Sequence, residues 1–403
     1  MRFLLINQFF APDPAPTGQL LADVARALAV AGHSVRVVCG RASYVACDAA
    51  GDHELELVDV RRVGATPFRR GFLSRLVSYA FFFMIALRYA AFDKRADVVL
   101  TLTTPPLLSL TGTLAKLLRG SRHVIWEMDV YPDIAVALGI IASGGILDRT
   151  VGGLADLSRH QADKIIVLGP CMLDRLANRG VPLAKLTIAQ NWTDGRRISP
   201  RRLPDLVPVV LLYSGNLGRA HDTATLGEAM GTLSSSDRFQ FIFAGAGDGY
   251  AELRATCELR QATNIQFLPY QDGRLLAEHL GSCHIGLVTQ RASTCGAVVP
   301  SKTYGLMAAG RPFIFIGPLE ATPARLIRTY QCGWHVIPGD SEGLVALLQL
   351  LAGTPRLIEE AASRAHEAFL ESCELQIGTS RVVRILTDSE VLDGMSKVFA
   401  NAE

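Results

Sequence analysis

Two stretches carry residues whose types and spacing suit a negatively charged ligand. In VVPSKTYGLMAAGRP, residues 298–312, a single lysine, Lys302, stands between a proline and a run of small and apolar residues. Val299, Pro300 and Ser301 end the preceding segment and KTYGLMAAG reads as a helix. Lys302 and the unpaired amides of the first helical turn would then point the same way, which suits a phosphate. Ala308, Ala309 and Gly310 keep that helix thin enough to lie close against a sheet. In YSGNLGRAHD, residues 213–222, Gly215 and Gly218 let the backbone approach a ligand, and Arg219 and His221 offer positive charge. Together the two stretches spell an anion-binding corner for a diphosphate. Taken singly, each has a plainer reading: an ordinary glycine turn and a solvated surface lysine. The glycine loop is not a dinucleotide fingerprint, because Gly-x-Gly-x-x-Gly is absent.

A third candidate is rich in carboxylates. WEMDVYPD, residues 126–133, reads as a strand end followed by a turn, with Trp126 and Tyr131 beside the acids. Asp129 could orient or deprotonate a hydroxyl, with Glu127 and Asp133 as alternatives. The competing reading is that these acids cap the next helix. No metal site is expected, since the histidines lack ligand spacing and no pair of the eight cysteines forms Cys-x-x-Cys. That cysteine usage also makes a cytosolic address the default. Gly-x-Ser-x-Gly and Walker loops are absent as well, so serine hydrolysis and ATP hydrolysis lack their usual signals.

The elements that must position these residues are short apolar strands alternating with helices. A chain of 403 residues is long for one core, so two domains are expected. MRFLLINQF, SVRVVCG, ADVVLTLTTPP, HVIWEMDVYPD and DKIIVLGP read as strands, with TGQLLADVARALAVAGH as a helix that Thr17 could cap. NWTDGRRISPRRLPDLVP, rich in arginine and proline, breaks the rhythm. It restarts with VVLLYSGNLG, FQFIFAGAGDG, NIQFLPY, HIGLVTQ and RPFIFIG. The expectation is an α/β protein with two doubly wound, Rossmann-like domains facing each other across a cleft. The boundaries expected are 1–195, a linker at 196–208, 209–375, and a C-terminal helical segment at 376–403 packing back across the domains. In such sheets the ligand sits outside the carboxyl ends of the strands.

Charge and hydropathy limit the partners. Lys plus Arg number 40 and Asp plus Glu 38, which gives no sign of nucleic acid. From Arg61 to Arg75 there are five arginines and no acid, followed by the apolar run LVSYAFFFMIAL. Twelve residues are too few to cross a bilayer. The stretch 61–89 reads either as a peripheral membrane contact or as a core helix with a basic end. The N-terminal MRFLLINQF is better explained as a buried strand than as a signal peptide.

Over essentially its whole length the chain resembles bacterial GT-B glycosyltransferases of retaining family 4. The residues that carry the likeness are APTGQLLADVARALAVAGHSVRVV, YSGNLGRAHD, FAGAGDG, IQFLPY and PSKTYGLMAAGRPFIFIG. The group most similar in pattern is the sugar-nucleotide transferases of exopolysaccharide and O-antigen assembly. The resemblance implies a nucleoside-diphosphate sugar held mainly by the C-terminal domain and an acceptor on the N-terminal one. The diphosphate would meet Gly215, Asn216, Gly218, Arg219, Ser301 and Lys302, with Tyr304 in the same donor set and Gly18 facing it from the other domain. The base would lie near Leu268, Pro269 and Tyr270. Asp129, Lys302 and Arg219 would be the catalytic groups, and no cofactor or metal is implied. In a retaining reaction the departing phosphate oxygen can take the acceptor proton, which leaves charge stabilisation as the main catalytic task.

A lipid-linked or growing saccharide acceptor would rationalise a peripheral position at the inner face of the plasma membrane. The chain departs from the family pattern at two glutamate positions, which fall on Ala297 and Gly305 here. Two rival readings follow: a nucleotide-sugar epimerase on the same fold, and a degenerate, non-catalytic transferase acting as a membrane-associated partner.

Overall fold

Every strand pair of the computed structural model is parallel. Residues 1–13, 15–41, 57–64, 72–205, 207–259 and 262–388 are described. The chain divides into two units, 1–190 with 376 onward, and 191–375.

The first unit runs β1 (Arg2–Ile6), α1 (Pro16–Val30), β2 (Ser34–Gly40), β3 (Val58–Val63), α2 (Phe72–Phe92), β4 (Val98–Thr101) and α3 (Ser109–Arg119). It continues through β5 (Arg122–Trp126), α4 (Asp133–Ala137), α5 (Ile146–Gln161), β6 (Lys164–Val167), α6 (Pro170–Asn178) and β7 (Leu186–Ile188). The sheet order is β3-β2-β1-β4-β5-β6-β7. Strand β4 is buried at every residue. Its unbroken apolar run reflects helices on both faces, where an alternating pattern would leave one face wet. Helix α1 starts at Pro16 with Ala15 at its cap and no side-chain cap bond. Thr17, expected as the cap, lies inside the first turn, because proline is well suited to a first helical position.

Helix α2 is two-sided. Phe82, Ala86 and Ala90 enter the core with Leu4, Ile6 and Val99, while Val77, Phe81 and Met84 are 58%, 47% and 64% exposed. Of the five arginines between residues 61 and 75, Arg61 and Arg62 belong to β3, and Arg69 and Arg70 lie outside the described residues. No helix among the described residues is long and apolar enough to cross a membrane.

The second unit comprises β8 (Val209–Asn216), α7 (Ala224–Thr232), β9 (Phe239–Ala246), α8 (Asp248–Leu259), β10 (Ile265–Leu268), α9 (Leu276–Gly281) and β11 (Ile285–Thr289). Then follow α10 (Lys302–Ala308), β12 (Phe313–Ile316), α11 (Thr322–Tyr330), β13 (Gly333–Val336), α12 (Ser341–Gly353) and α13 (Pro355–Ser372). Its order, β10-β9-β8-β11-β12-β13, reverses direction between β8 and β11. That reversal is the switch point at which doubly wound sheets hold their ligands. Helix α10 lies hard against β11: a Cβ on Gly286 would come within 2.2 Å of Leu306.

The stretch expected as a linker, 196–208, is packed onto this unit. Ile198 is buried in its core. The buried Arg311 guanidinium donates to the carbonyls of Arg201 at 2.9 Å, Arg202 at 3.1 Å and Gly281 at 2.7 Å. His284 contributes a ring nitrogen 3.2 Å from the Pro204 carbonyl. Composition alone suggested a free connection. What holds the stretch is backbone carbonyl bonding from a distant arginine and histidine. Helix α14 (Leu375–Thr387) then returns the chain to the first unit, where Arg122 donates to the carbonyls of Ile385 and Leu386. A cation there satisfies the open end of the helix.

Candidate active site

At the switch point of the second unit, Lys302 opens α10 and reaches the end of β8. Its Nζ donates to the Asn216 carbonyl at 3.0 Å and stands 4.8 Å over the Tyr213 ring. The Tyr213 hydroxyl donates to the same carbonyl at 2.8 Å, and the Tyr250 hydroxyl donates to the Gly215 carbonyl at 3.1 Å. Loop carbonyls are thus engaged by protein donors. The amides of Gly218, Arg219 and Ala220 have no hydrogen-bond partner among the described residues, and neither do those of Ser301, Lys302 and Thr303. Consecutive free amides beside a cation form an anion-binding concavity.

Local geometry explains the glycines. Gly215 has φ +115°, and a Cβ there would sit 3.0 Å from Lys302 Cε. Gly245, opposite it on β9, has φ +143°, and its Cβ would fall 2.1 Å from the Gly215 carbonyl oxygen. The two strand ends therefore touch backbone to backbone, which only glycine permits.

Burial lowers the Lys302 pKa from 10.5 to about 8, so the ammonium is poorly hydrated before any ligand arrives. Arg219 is exposed and has no partner among the described residues, as is Asn216 at its side chain. His221 does not supply the positive charge expected of it. Its Nδ1 lies 2.8 Å from the Thr289 carbonyl, which only a protonated nitrogen can serve as donor. Burial, and then the Lys302 charge, lower its pKa to about 3, so the ring is neutral.

The other expected donor contacts are distributed unevenly. Ser301 is exposed at the start of α10. Leu268 ends β10 opposite Ala244, with Pro269 and Tyr270 exposed just beyond. Tyr270 is near enough for its charge to act on both Tyr213 and Tyr250, whose pKa values burial already raises. Tyr304, expected in the donor set, has its ring buried with Leu212, Val288 and Phe315. Gly18 belongs to the first unit, where α1 crosses so close to Phe10 that a Cβ would meet its amide nitrogen at 2.9 Å. Residues missed as contributors are Tyr213, Tyr250 and Gly245. Tyr213 opens the quoted YSGNLGRAHD, and Gly245 lies in FAGAGDG, but neither stretch marked the tyrosines as holding the loop.

In the first unit the three acids separate by partner. Glu127 is buried against Arg159, and Asp133 pairs with Arg175 at 3.1 Å and Arg179 at 2.9 Å. Asp129 alone among them has no side-chain partner among the described residues; its amide donates to Thr103 Oγ1 at 3.2 Å. Helix α4 has no side-chain cap, so none of these acids serves that purpose. Burial, followed by the neighbouring Glu127 charge, raises the Asp129 pKa from 3.8 to about 6. A carboxyl poised there can exchange a proton near neutral pH. Asp129, Tyr131, Thr103 and Ser109 line one small cavity.

Each unit holds one doubly wound parallel sheet, the architecture expected of the two halves of a GT-B protein. Comparison with known proteins points to glycosyl transfer. Residues 17–192 match the family model of the glycosyl transferase 4-like domain. A Pseudomonas aeruginosa protein described as a glycosyltransferase, WbjE, is 28% identical over 297 residues, covering 68% of this chain and 73% of the relative. An Escherichia coli protein named for glycosyl transfer in colanic acid biosynthesis, WcaI, is 26% identical over 377 residues, covering 86% and 91%. Among solved structures, sucrose-phosphate synthase from Thermosynechococcus elongatus superposes with a TM-score of 0.73 at 16% identity, covering 96% of this chain and 98% of that one. Anabaena HepE in complex with UDP-glucose gives 0.70 at 14% identity, covering 96% and 100%. Residues 17–192 thus match a glycosyl transferase 4-like domain, and the relatives along the chain are glycosyltransferases.

Proposed function

We propose that the chain moves a glycosyl unit from a nucleoside-diphosphate sugar to a hydroxyl of a lipid-linked or growing saccharide during cell-surface polysaccharide assembly, with retention of configuration. The observation that carries this reading is the contact of Lys302 with the Asn216 carbonyl beside the free amides of residues 218–220. The names of the relatives support the polysaccharide setting, and the UDP-glucose in HepE supports the donor class.

In the reaction, the bond between the anomeric carbon and the β-phosphate oxygen breaks, and one forms from that carbon to the acceptor oxygen. The bonding pair leaves with the phosphate. Lys302, Arg219 and the loop amides stabilise that charge without a metal, a task that can supply several kcal/mol. The acceptor proton passes to the departing phosphate oxygen or to Asp129. Exposed Val77, Phe81 and Met84, with Arg88 on the same helical face, suit peripheral contact with an anionic membrane surface where such an acceptor would reside.

A thermal-shift screen with UDP-, GDP- and dTDP-sugars tests the donor class, because a ligand of the folded state raises its apparent stability. A stabilising donor should then release free nucleoside diphosphate only with acceptor present. Conversion of the sugar with donor alone would favour epimerisation, and no stabilisation by any of the three would remove the reading.

A further inference from the structure

Asp129 is held in place by a residue that the sequence leaves unremarked. One guanidinium, Arg159 of α5, bonds on both sides of it: to the Glu127 carboxylate two residues before, and to the Tyr131 carbonyl two residues after, at 2.9 Å. Its other arm donates to Asp156 at 2.9 Å. Asp156 is itself gripped by Arg179 at 2.6 and 3.0 Å, so the arginine cannot easily swing away. Arg159 and Glu127 are only 3% and 2% exposed.

We propose that the Glu127–Arg159 ion pair is the positioning element of the acceptor corner, with Arg159 clamping the turn that presents Asp129 and Glu127 setting the electrostatic environment of its carboxyl. This rests on the acceptor role given to Asp129 above. A buried ion pair is weak evidence for stability, since neutral residues of similar size often replace one at little cost. Its use here is geometric. Lysine could neutralise Glu127, but its donors sit on one atom, whereas the guanidinium reaches Asp156 from Nη1 and Glu127 and Tyr131 from Nη2.

The charged and titratable groups around Asp129 are few. Glu127 precedes it, Tyr131 follows it, and Arg159 approaches from α5; Tyr79 of α2 acts on Tyr131. Thr103 and Ser109 add hydroxyls only. Glu127 is therefore the one anion acting on Asp129 among the described residues. Its removal should make Asp129 easier to ionise.

The test uses the full-length, ligand-free chain, so that it does not depend on turnover. Carbon-13 label in the aspartate carboxyls reports the titration of Asp129, its signal being assigned by its loss in Asp129→Asn. Hydrogen exchange read by mass spectrometry reports the 126–133 turn. Glu127→Gln, which still accepts from Arg159, should lower the Asp129 midpoint by about one pH unit and leave exchange of the turn within about threefold of wild type. Glu127→Gln with Arg159→Met should lower the midpoint similarly, but raise exchange of the turn by roughly tenfold or more. An Asp129 midpoint unmoved by Glu127→Gln overturns the electrostatic half. Unchanged exchange in the folded double variant overturns the clamp. If instead Asp129→Asn keeps full transferase activity, the acceptor role of Asp129 falls while these two measurements stand apart from it.

Discussion

Replacing Lys302 with methionine should weaken the enzyme and strengthen the fold. Methionine keeps an apolar stem over the Tyr213 ring but removes the charge. Burial lowers the Lys302 pKa from 10.5 to about 8, which corresponds to up to about 3 kcal/mol against the ammonium in the ligand-free protein. The sign follows from linkage. With its folded pKa depressed, the lysine costs stability in full below about pH 8, and the cost disappears above 10.5. Methionine relieves that cost and forfeits the bond to the Asn216 carbonyl, worth about 1 kcal/mol. The ligand-free variant should therefore gain about 2 kcal/mol at pH 7, read as a rise in the urea midpoint. A phosphate about 4 Å from the ammonium gains about 4 kcal/mol at an effective dielectric near 20, so ligand binding more than offsets the desolvation. Loss of that term should cut kcat/KM by roughly 100- to 1,000-fold. Wild-type affinity for UDP should also hold steady to about pH 8 and then fall up to tenfold per pH unit, as the free lysine loses its proton. Isothermal titration across pH 7 to 9.5 measures this. A flat profile, or a methionine variant that binds UDP like wild type with an unchanged urea midpoint, would refute the reasoning.

Arg219→Ala should weaken UDP binding about tenfold with no change in thermal midpoint, because the side chain is exposed and unpaired among the described residues. Gly245→Ala should cost on the order of 3 kcal/mol in urea denaturation, since it adds backbone strain at φ +143° to a collision with the Gly215 carbonyl. Acid should destabilise the protein through its buried neutral histidines. His123, bonded to Thr101 at 3.0 Å, has its pKa lowered to about 3 by burial. Its contribution is present above pH 6.5 and lost as pH falls towards 3, by about 2 kcal/mol at pH 5. His123→Gln should flatten that slope in urea midpoints taken at pH 7.5 and 5. Gly305→Glu, which restores a carboxylate found in the related family, should lower the thermal midpoint and leave kcat/KM no higher; a gain in rate would refute the packing account below.

Much of the fold was legible in the sequence, because short apolar strands bounded by Gly and Pro can only be buried parallel strands when helices alternate with them. The chemistry was legible only in its types. YSGNLG and PSK could each be singled out, but Lys302 bonds a carbonyl 86 positions away, and no local pattern encodes that pairing. The charge of His221 was misjudged for a related reason. An imidazole takes its state from its surroundings, and the Thr289 carbonyl and the Lys302 ammonium arrive from β11 and α10. Tyr304 entered the donor set through the family resemblance and follows Lys302 by two residues. On a helix two residues is about 200°, so Tyr304 turns to the core. Arg159 was invisible, since SRHQAD reads as the polar end of an ordinary helix. Its partner Glu127 lies on another element.

The two missing glutamates take on a different meaning once their positions are seen in the packing. Ala297 is fully buried in a turn tied together by the Gln290 amide, which donates to the carbonyls of Thr294 at 3.2 Å and Val298 at 3.1 Å. A Cβ on Gly305 would look towards Leu280 at 3.4 Å and Ile198 at 3.9 Å. Ile198 comes from the stretch that Arg311 and His284 fasten to the second unit. Both positions are thus committed to apolar packing, where an unpaired carboxylate would carry a desolvation penalty. A site decaying from an ancestral form would be expected to lose its cation or its loop glycines along with its carboxylates. Here Lys302 and Gly215 are held by Tyr213, Tyr250 and Gly245, five residues from two strands and two helices that together present positive charge at one strand end. The absent carboxylates therefore argue for a donor gripped chiefly by its diphosphate, not for a transferase that has lost its chemistry.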